Sequence, residues 1–330
     1  MAPDENEITF AQAINAAMHE EMQRDERVML IGEDVGHAGG VYKLSENLLA
    51  EFGPDRVLDT PISEAGIAGL GVGAAMTGMR PIVEIMFGDF TALAMDQIVN
   101  QAAKVRYMSG GRLEVPLVIR TTMGAGRRIA AQHSQSLHSW FCHIPGVKVV
   151  LPSTPADAKG LMKTAIRDND PVIVFEDKMM YRETGIVPTD EYTIPFGVAD
   201  RKREGADLTL IATSSMVRVA LDAAERLASE SIDAEVIDPR TLTPLDEEAM
   251  VNSVRKTSRC IVIDEGYRGF GATAELAATV ANKCFYFLDA PVERIGAMDV
   301  PVPFSPVLED QTIPTEDDIV TVARRLVGRA

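Results

Sequence analysis

At 330 residues the chain exceeds what one ordinary core organises and leaves room for two α/β domains of about 130 to 190 residues each. A net charge of −17 repels phosphate backbones, which argues against nucleic acid and for a basic protein partner, and no apolar run approaches the roughly 18 residues of a membrane span. Cys142, Cys260 and Cys284 form no C-x-x-C pair, and the opening MAPDENE is acidic, so the expectation is a reducing cytoplasmic setting without disulfides, zinc, signal peptide or Arg-rich transit peptide.

Thr9 with Gln12 reads as a capping box, and Phe10, Ala13, Ile14, Ala17 and Met18 then share one helical face before the strand-like RVMLIGED. Unbroken apolar strands follow at 57–60, 81–86, 116–121, 147–152 and 171–176, with helical stretches between them. That alternation predicts a parallel sheet covered on both faces. Residues 183–206 lose the rhythm and carry Pro, Gly and dense charge, as an interdomain linker does. Strands at 208–213, 234–239 and 260–266 begin a second series, closed by a helix from about Glu316 to the C-terminus. The expected fold is therefore two doubly wound α/β domains, 1–182 and 207–330, joined by 183–206.

Ligands in such sheets bind beyond the carboxyl ends of strands. Gly69, Gly71 and Ala74 fit G-x-G-x-x-A, with Glu84 placed as a ribose-binding acid. PISEAGIA separates them from the preceding strand, so they fall inside a helix, where close packing explains them better than a nicotinamide site. Glu64 stands on the first turn of that helix, after Thr60 or Ser63 as a cap. The helix dipole alone would account for a carboxylate there, but the apolar neighbours Ile62, Ala65, Ile67 and Ala68 favour a shared proton and acid–base work.

His133, His138 and His143 recur every five residues, poor spacing for one helix face and for zinc. The stretch TTMGAGRRIAAQHSQS follows a strand directly, which makes His133 the best acid–base candidate, with an exposed loop residue as the plain alternative. Asp168, Asn169 and Asp170 form a turn that either caps a helix in solvent or, turned inward, suits a hard cation. Neither a G-D-G with a downstream Asn nor a Walker-type G-x-x-x-x-G-K occurs, so the chain has no diphosphate cradle of its own.

IGEDVG, RVLDTPISEAGIAG, RPIVEIMFGDF, DQIVNQAAKVRYMSGG and AAQHSQS, with DPRTLTPLD, DEGYRGFG and VPFSPVLED in the second half, resemble the β subunit of the thiamin-diphosphate-dependent first component of 2-oxo acid and acetoin dehydrogenase complexes. The resemblance implies a pyrimidine-binding domain followed by a transketolase-type C-terminal domain. It implies an α2β2 assembly whose α subunit holds the diphosphate and magnesium, which accounts for the missing cradle. Glu64 then bonds the cofactor's pyrimidine nitrogen, Phe90 packs on that ring with Ile62 beside it, and His133 lies close to the reacting thiazolium. Leu117, Ala165, Ile166, Asp168 and Asp170 overlie a monovalent-cation site, taken as potassium, although the turn reads DND where many pyruvate-specific relatives have DNN.

The implied reaction is decarboxylation of pyruvate or another 2-oxo acid, or cleavage of acetoin, with the acyl group passed to a lipoyl carrier. The implied second partner is a lipoyl acyltransferase core, docked through a basic subunit-binding domain. A branched-chain 2-oxo acid enzyme, a nicotinamide oxidoreductase and a chiefly docking module are the alternatives.

Overall fold

The computed structural model describes residues 7–328; the acidic opening MAPDEN lies outside the described residues. Contacts divide the chain into two units. One holds residues up to Met123 and Trp140–Phe196, and the other holds Gly124–Ser139 and everything from Gly197. The segment 124–139, which chain order assigns to the first domain, thus packs with the second.

In the first unit β1 (Glu7–Thr9) pairs antiparallel with β8 (Thr184–Ile186). The main sheet contains β2 (Val28–Gly32), β3 (Val57–Asp59), β4 (Arg80–Ile85), β5 (Val118–Met123), β6 (Lys148–Val150) and β7 (Val172–Asp177). They run parallel in the order β6-β7-β5-β4-β2-β3. Every residue of β2, β4, β5 and β7 is buried, because helices cover both faces. These helices are α1 (Phe10–Arg24), α2 (Leu48–Phe52), α3 (Glu64–Met76), α4 (Ala103–Met108) and α6 (Pro155–Arg167), with the short α5 (His138–Cys142) preceding β6.

Helix α1 starts where its capping box predicts: the Gln12 N–H donates to Thr9 Oγ1 at 3.1 Å, and the Thr9 N–H donates to Gln12 Oε1 at 2.9 Å. Phe10, Ala13, Ile14, Ala17 and Met18 are all buried in one core with α6.

The second unit has its own sheet, ordered β14-β13-β10-β11-β9. Its strands are β9 (Asp200–Arg203), β10 (Leu208–Ala212), β11 (Ala234–Asp238), β13 (Cys260–Tyr267) and β14 (Glu293–Ala297); the three-residue β12 (Thr241–Thr243) does not belong to this sheet. All pairings are parallel except that of β9 with β11. Side chains alternate across this sheet. Leu208, Leu210, Ile261 and Ile263 face α7 (Met216–Ser229) and α11 (Glu316–Leu326), whereas Ile211 and Val262 face α8 (Glu247–Thr257) and α9 (Ala272–Lys283). A one-turn α10 (Pro306–Glu309) precedes α11. The stretch 183–206 contributes a strand to each unit, β8 and β9.

Candidate active site

The carboxyl ends of β2, β3 and β4 lie side by side, and three loops leave them. The β2 loop carries Glu33 and folds back on the β3 loop: the Gly36 and His37 N–H groups donate to the two Asp59 carboxylate oxygens at 2.6 and 3.1 Å. The β3 loop leads into α3, whose first residue is Glu64, buried at 8% exposure. Neither expected cap operates. Ser63 occupies the N-cap without a side-chain bond, and Thr60 Oγ1 is buried without a partner among the described residues.

The Glu64 carboxylate likewise accepts no hydrogen bond and makes no ion pair among the described residues. Glu33 feels it nonetheless: burial first, then Asp34 and Glu64, push the Glu33 carboxyl above its ordinary range. The β4 loop forms a short 3-10 helix, Gly88–Ala94, that packs against α3 and carries Phe90, whose ring meets Phe87 edge to face at 5.7 Å. Glu64 and Phe90 therefore share one edge of one sheet. Ile67 and Ala68 supply the apolar floor, but Ile62, in the loop before α3, is 75% exposed and Ala65 is also exposed, contrary to the sequence expectation.

The dinucleotide reading fails on geometry. Gly69, Gly71 and Ala74 lie within α3, and a Cβ on Gly71 would sit 2.4 Å from Val83 Cγ2. Gly71 lets helix and sheet approach. Glu84 is not a ribose ligand; it pairs with the buried Arg120, which also grips Glu176, and Tyr181 donates to Glu176 at 2.7 Å.

His133 belongs to the second unit. It lies half-buried in the segment 124–139, whose Ala125 and Gly126 N–H groups donate at 2.6 Å to Glu265 Oε1 and Glu309 Oε1. His138, five residues on, is fully buried 3.1 Å from Asp264 Oδ2. Sequence reasoning left Asp264, Glu265 and Glu309 without a role; the stretches DEGYRGFG and VPFSPVLED held them, but only the fold brings them to this segment.

The turn after α6 is already rich in fixed cations. Arg80 donates to the carbonyls of Ile166 (2.9 Å) and Asp168 (2.6 Å), Lys148 reaches the Asp168 carboxylate at 2.6 Å, and Arg106 reaches Asp170 at 2.6 Å. The Leu117 and Ala165 carbonyls accept from Val172 and Asp168 N–H groups. Only the second lone pairs of these carbonyls remain for an ion. No cluster of three His, Cys, Asp or Glu side chains suited to a metal occurs among the described residues, and no described helix is long and apolar enough to cross a membrane.

Comparison with known proteins identifies both domains. Residues 6–184 match the family described as transketolase, pyrimidine binding domain, and residues 197–319 match transketolase, C-terminal domain. The chain is 54% identical to the β subunit of acetoin:2,6-dichlorophenolindophenol oxidoreductase of Bacillus subtilis, over 97% of each chain. It is 47% identical to the pyruvate dehydrogenase E1 β subunit of Rickettsia felis, over 97% of this chain and 98% of the relative. It is 46% identical to the 2-oxoisovalerate dehydrogenase β subunit of B. subtilis, again over 97% and 98%. A solved structure described as split gene transketolase, inactive beta4 tetramer, shares the fold with a TM-score of 0.79 at 24% identity, over 97% of this chain and 98% of that one. With both domains in order and close relatives matched along nearly their whole length, the chain belongs to the transketolase-type family of E1 β subunits of acetoin and 2-oxo acid dehydrogenases.

Proposed function

We propose that this chain is the pyrimidine-binding half of a thiamin-diphosphate-dependent dehydrogenase, completed by an α subunit that holds the diphosphate and magnesium in an α2β2 assembly. The observation that carries it is Glu64: a residue of 8% exposure at the carboxyl edge of a parallel sheet, with no hydrogen-bond or ion-pair partner among the described residues, on the helix that packs against the turn bearing Phe90. Buried polar groups are rarely left so unless something else binds them.

When bound, thiamin diphosphate supplies a nucleophilic carbon and an electron sink for cleaving the bond beside a carbonyl. Glu64 would hold the pyrimidine by sharing a proton with a ring nitrogen, above the apolar floor of Ile67 and Ala68. Phe90 would pack on that ring, and Ile62, exposed in this chain, would be covered by cofactor or partner. His133 holds charge during acyl transfer to a lipoyl group.

Acetoin is the first substrate to test, since the acetoin-acting relative is more similar (54%) than the pyruvate and branched-chain ones (47% and 46%). Purification with the copurifying α chain, followed by side-by-side assays of acetoin, pyruvate and branched 2-oxo acids with and without thiamin diphosphate, tests this reading. Cofactor-independent turnover, or turnover by this chain alone, refutes it.

Docking to a basic domain of an acyltransferase follows from the net charge of −17 and should weaken with salt in a pull-down. A potassium ion is proposed to share the carbonyls of Leu117, Ala165, Ile166, Asp168 and Asp170. An unfolding temperature equal in potassium and choline chloride removes it. The reducing cytoplasm is the proposed location, with subcellular fractionation as its check.

A further inference from the structure

The segment bearing His133 is strained and gripped at once. Gly124 and Gly126 have φ of +92° and +91°, and two side-chain-bearing residues, Arg128 and Ala130, also sit at positive φ, +58° and +62°. Such conformations persist where surroundings impose them. Here the surroundings are three consecutive anchors within one unit. Glu309, fully buried, takes the Gly126 N–H on Oε1 and Arg128 Nη1 on Oε2 at 2.9 Å. Arg128 also reaches the Asp310 carboxylate at 2.7 Å and the Pro306 carbonyl at 3.2 Å.

Glu265 takes the Ala125 N–H and a 3.3 Å bond from Ser215. Asp264 meets His138 and also accepts from Thr213 and from the Gly266 N–H at 2.9 Å. A Cβ on Gly266 would fall 2.6 Å from Asp264 Oδ2, so glycine permits the close approach of that carboxylate to its own backbone. Between Ala125, Ser134–Ser136 and the sheet residues Glu265, Tyr267 and Ala297 the void is only about 10 Å³, room for one water at most.

We propose that Glu309, with Glu265 and Asp264, are positioning residues that fix the backbone from which His133 acts. This rests on the role proposed above for His133. The three carboxylates enter from the β13 end and from α10, and they engage the segment on both sides of His133. A charge-assisted bond to a backbone N–H is stronger than a neutral one and leaves the segment little freedom.

The test uses the α/β complex carrying Glu309→Ala, Glu309→Gln, His133→Ala, or the double variant His133→Ala with Glu309→Ala. Hydrogen exchange of peptides within 124–139 should speed up about tenfold or more in Glu309→Ala while those covering β10 stay as in the parent. Glu309→Gln, which keeps an acceptor for the Gly126 N–H, should fall between parent and Ala. Both should lower kcat for lipoyl acylation with KM changed less than about twofold, and Glu309→Ala should cost the His133→Ala enzyme less than about twofold more.

Unchanged exchange within 124–139, or a fully additive loss in the double variant, overturns the proposal. Should Glu309→Ala fail to assemble, Glu309→Gln and Arg128→Gln give the same two readouts. If His133→Ala alone keeps full activity, it is the catalytic reading of His133 that falls, and positioning for catalysis falls with it. The exchange data then still report whether the grip exists.

Discussion

The Arg120 guanidinium meets the Glu176 carboxylate as a fork, Nε 2.9 Å from Oε1 and Nη2 2.6 Å from Oε2, in the middle of the first unit's sheet. Its remaining nitrogen holds Glu84, so one buried cation serves two buried carboxylates. Burial pushes the Glu84 carboxyl above its ordinary range, Arg120 pulls it down, and Glu176 adds to the rise. Arg120→Met keeps volume but strips both acids of their counter-charge. Loss of about 3–5 kcal/mol in urea unfolding is expected, and a loss below about 1 kcal/mol would show that the acids simply take protons at no cost.

Asp264 gives a pH signature of the opposite kind. Burial pushes its carboxyl up, but His138, Thr213 and the Gly266 N–H outweigh burial and hold it below the ordinary value. A folded pKa below the unfolded one means stabilisation that is complete above the unfolded pKa, about 3.9, and lost as pH falls through the folded value. The stability difference between parent and Asp264→Asn, read by denaturant titration, should therefore be largest near neutrality and shrink as pH drops below about 4. A difference independent of pH would mean that the carboxylate is not ionised against His138.

Two glycines of α3 should respond in opposite directions. A Cβ on Gly71 would lie 2.4 Å from Val83 and 3.1 Å from Leu117, whereas one on Gly73 meets nothing within 4 Å. Gly71→Ala should cost about 1–3 kcal/mol through overpacking. Gly73→Ala, on the exposed helix face, should gain about 0.5–1 kcal/mol from the restricted unfolded chain. Thermal unfolding of the two variants checks both signs. Equal effects would deny the close helix–sheet contact that replaces the dinucleotide reading.

What the sequence disclosed and what it hid divide along a physical line. The cap and buried face of α1, and the apolar strands β2 to β7, β10, β11 and β13, were legible because their signals are local, a Thr9–Gln12 pair or a run such as PVIVFE, whereas β14 (ERIGA), with only Ile295 and Ala297 buried, was not called. β9 was missed because DRKR is a charged edge strand, and edges are charged to discourage further pairing. The grip on 124–139 was invisible because Gly126 and Glu309 are 183 positions apart and neither is unusual alone. Ile62 misled for a related reason: apolar character was read as burial, yet a chain that functions within an assembly keeps apolar surface for its partners.

Glu64 is where fold and proposed function pull against each other. A carboxylate on a residue of 8% exposure, without a partner among the described residues, has little access to water, and the amino end of α3 offsets this by only about 0.3–1 kcal/mol. Glu64→Gln keeps the shape and removes the charge. If Glu64 serves the fold, the substitution should weaken the chain. If it serves the cofactor, as proposed, chain stability should hold within about 1 kcal/mol or rise, while acyl transfer by the α/β complex falls at least about 100-fold. Activity lost only in step with unfolding would return Glu64 to a structural role. Stability kept and activity lost, with thiamin diphosphate no longer raising the complex's unfolding temperature as in the parent, would place its value in the proton it shares with the cofactor.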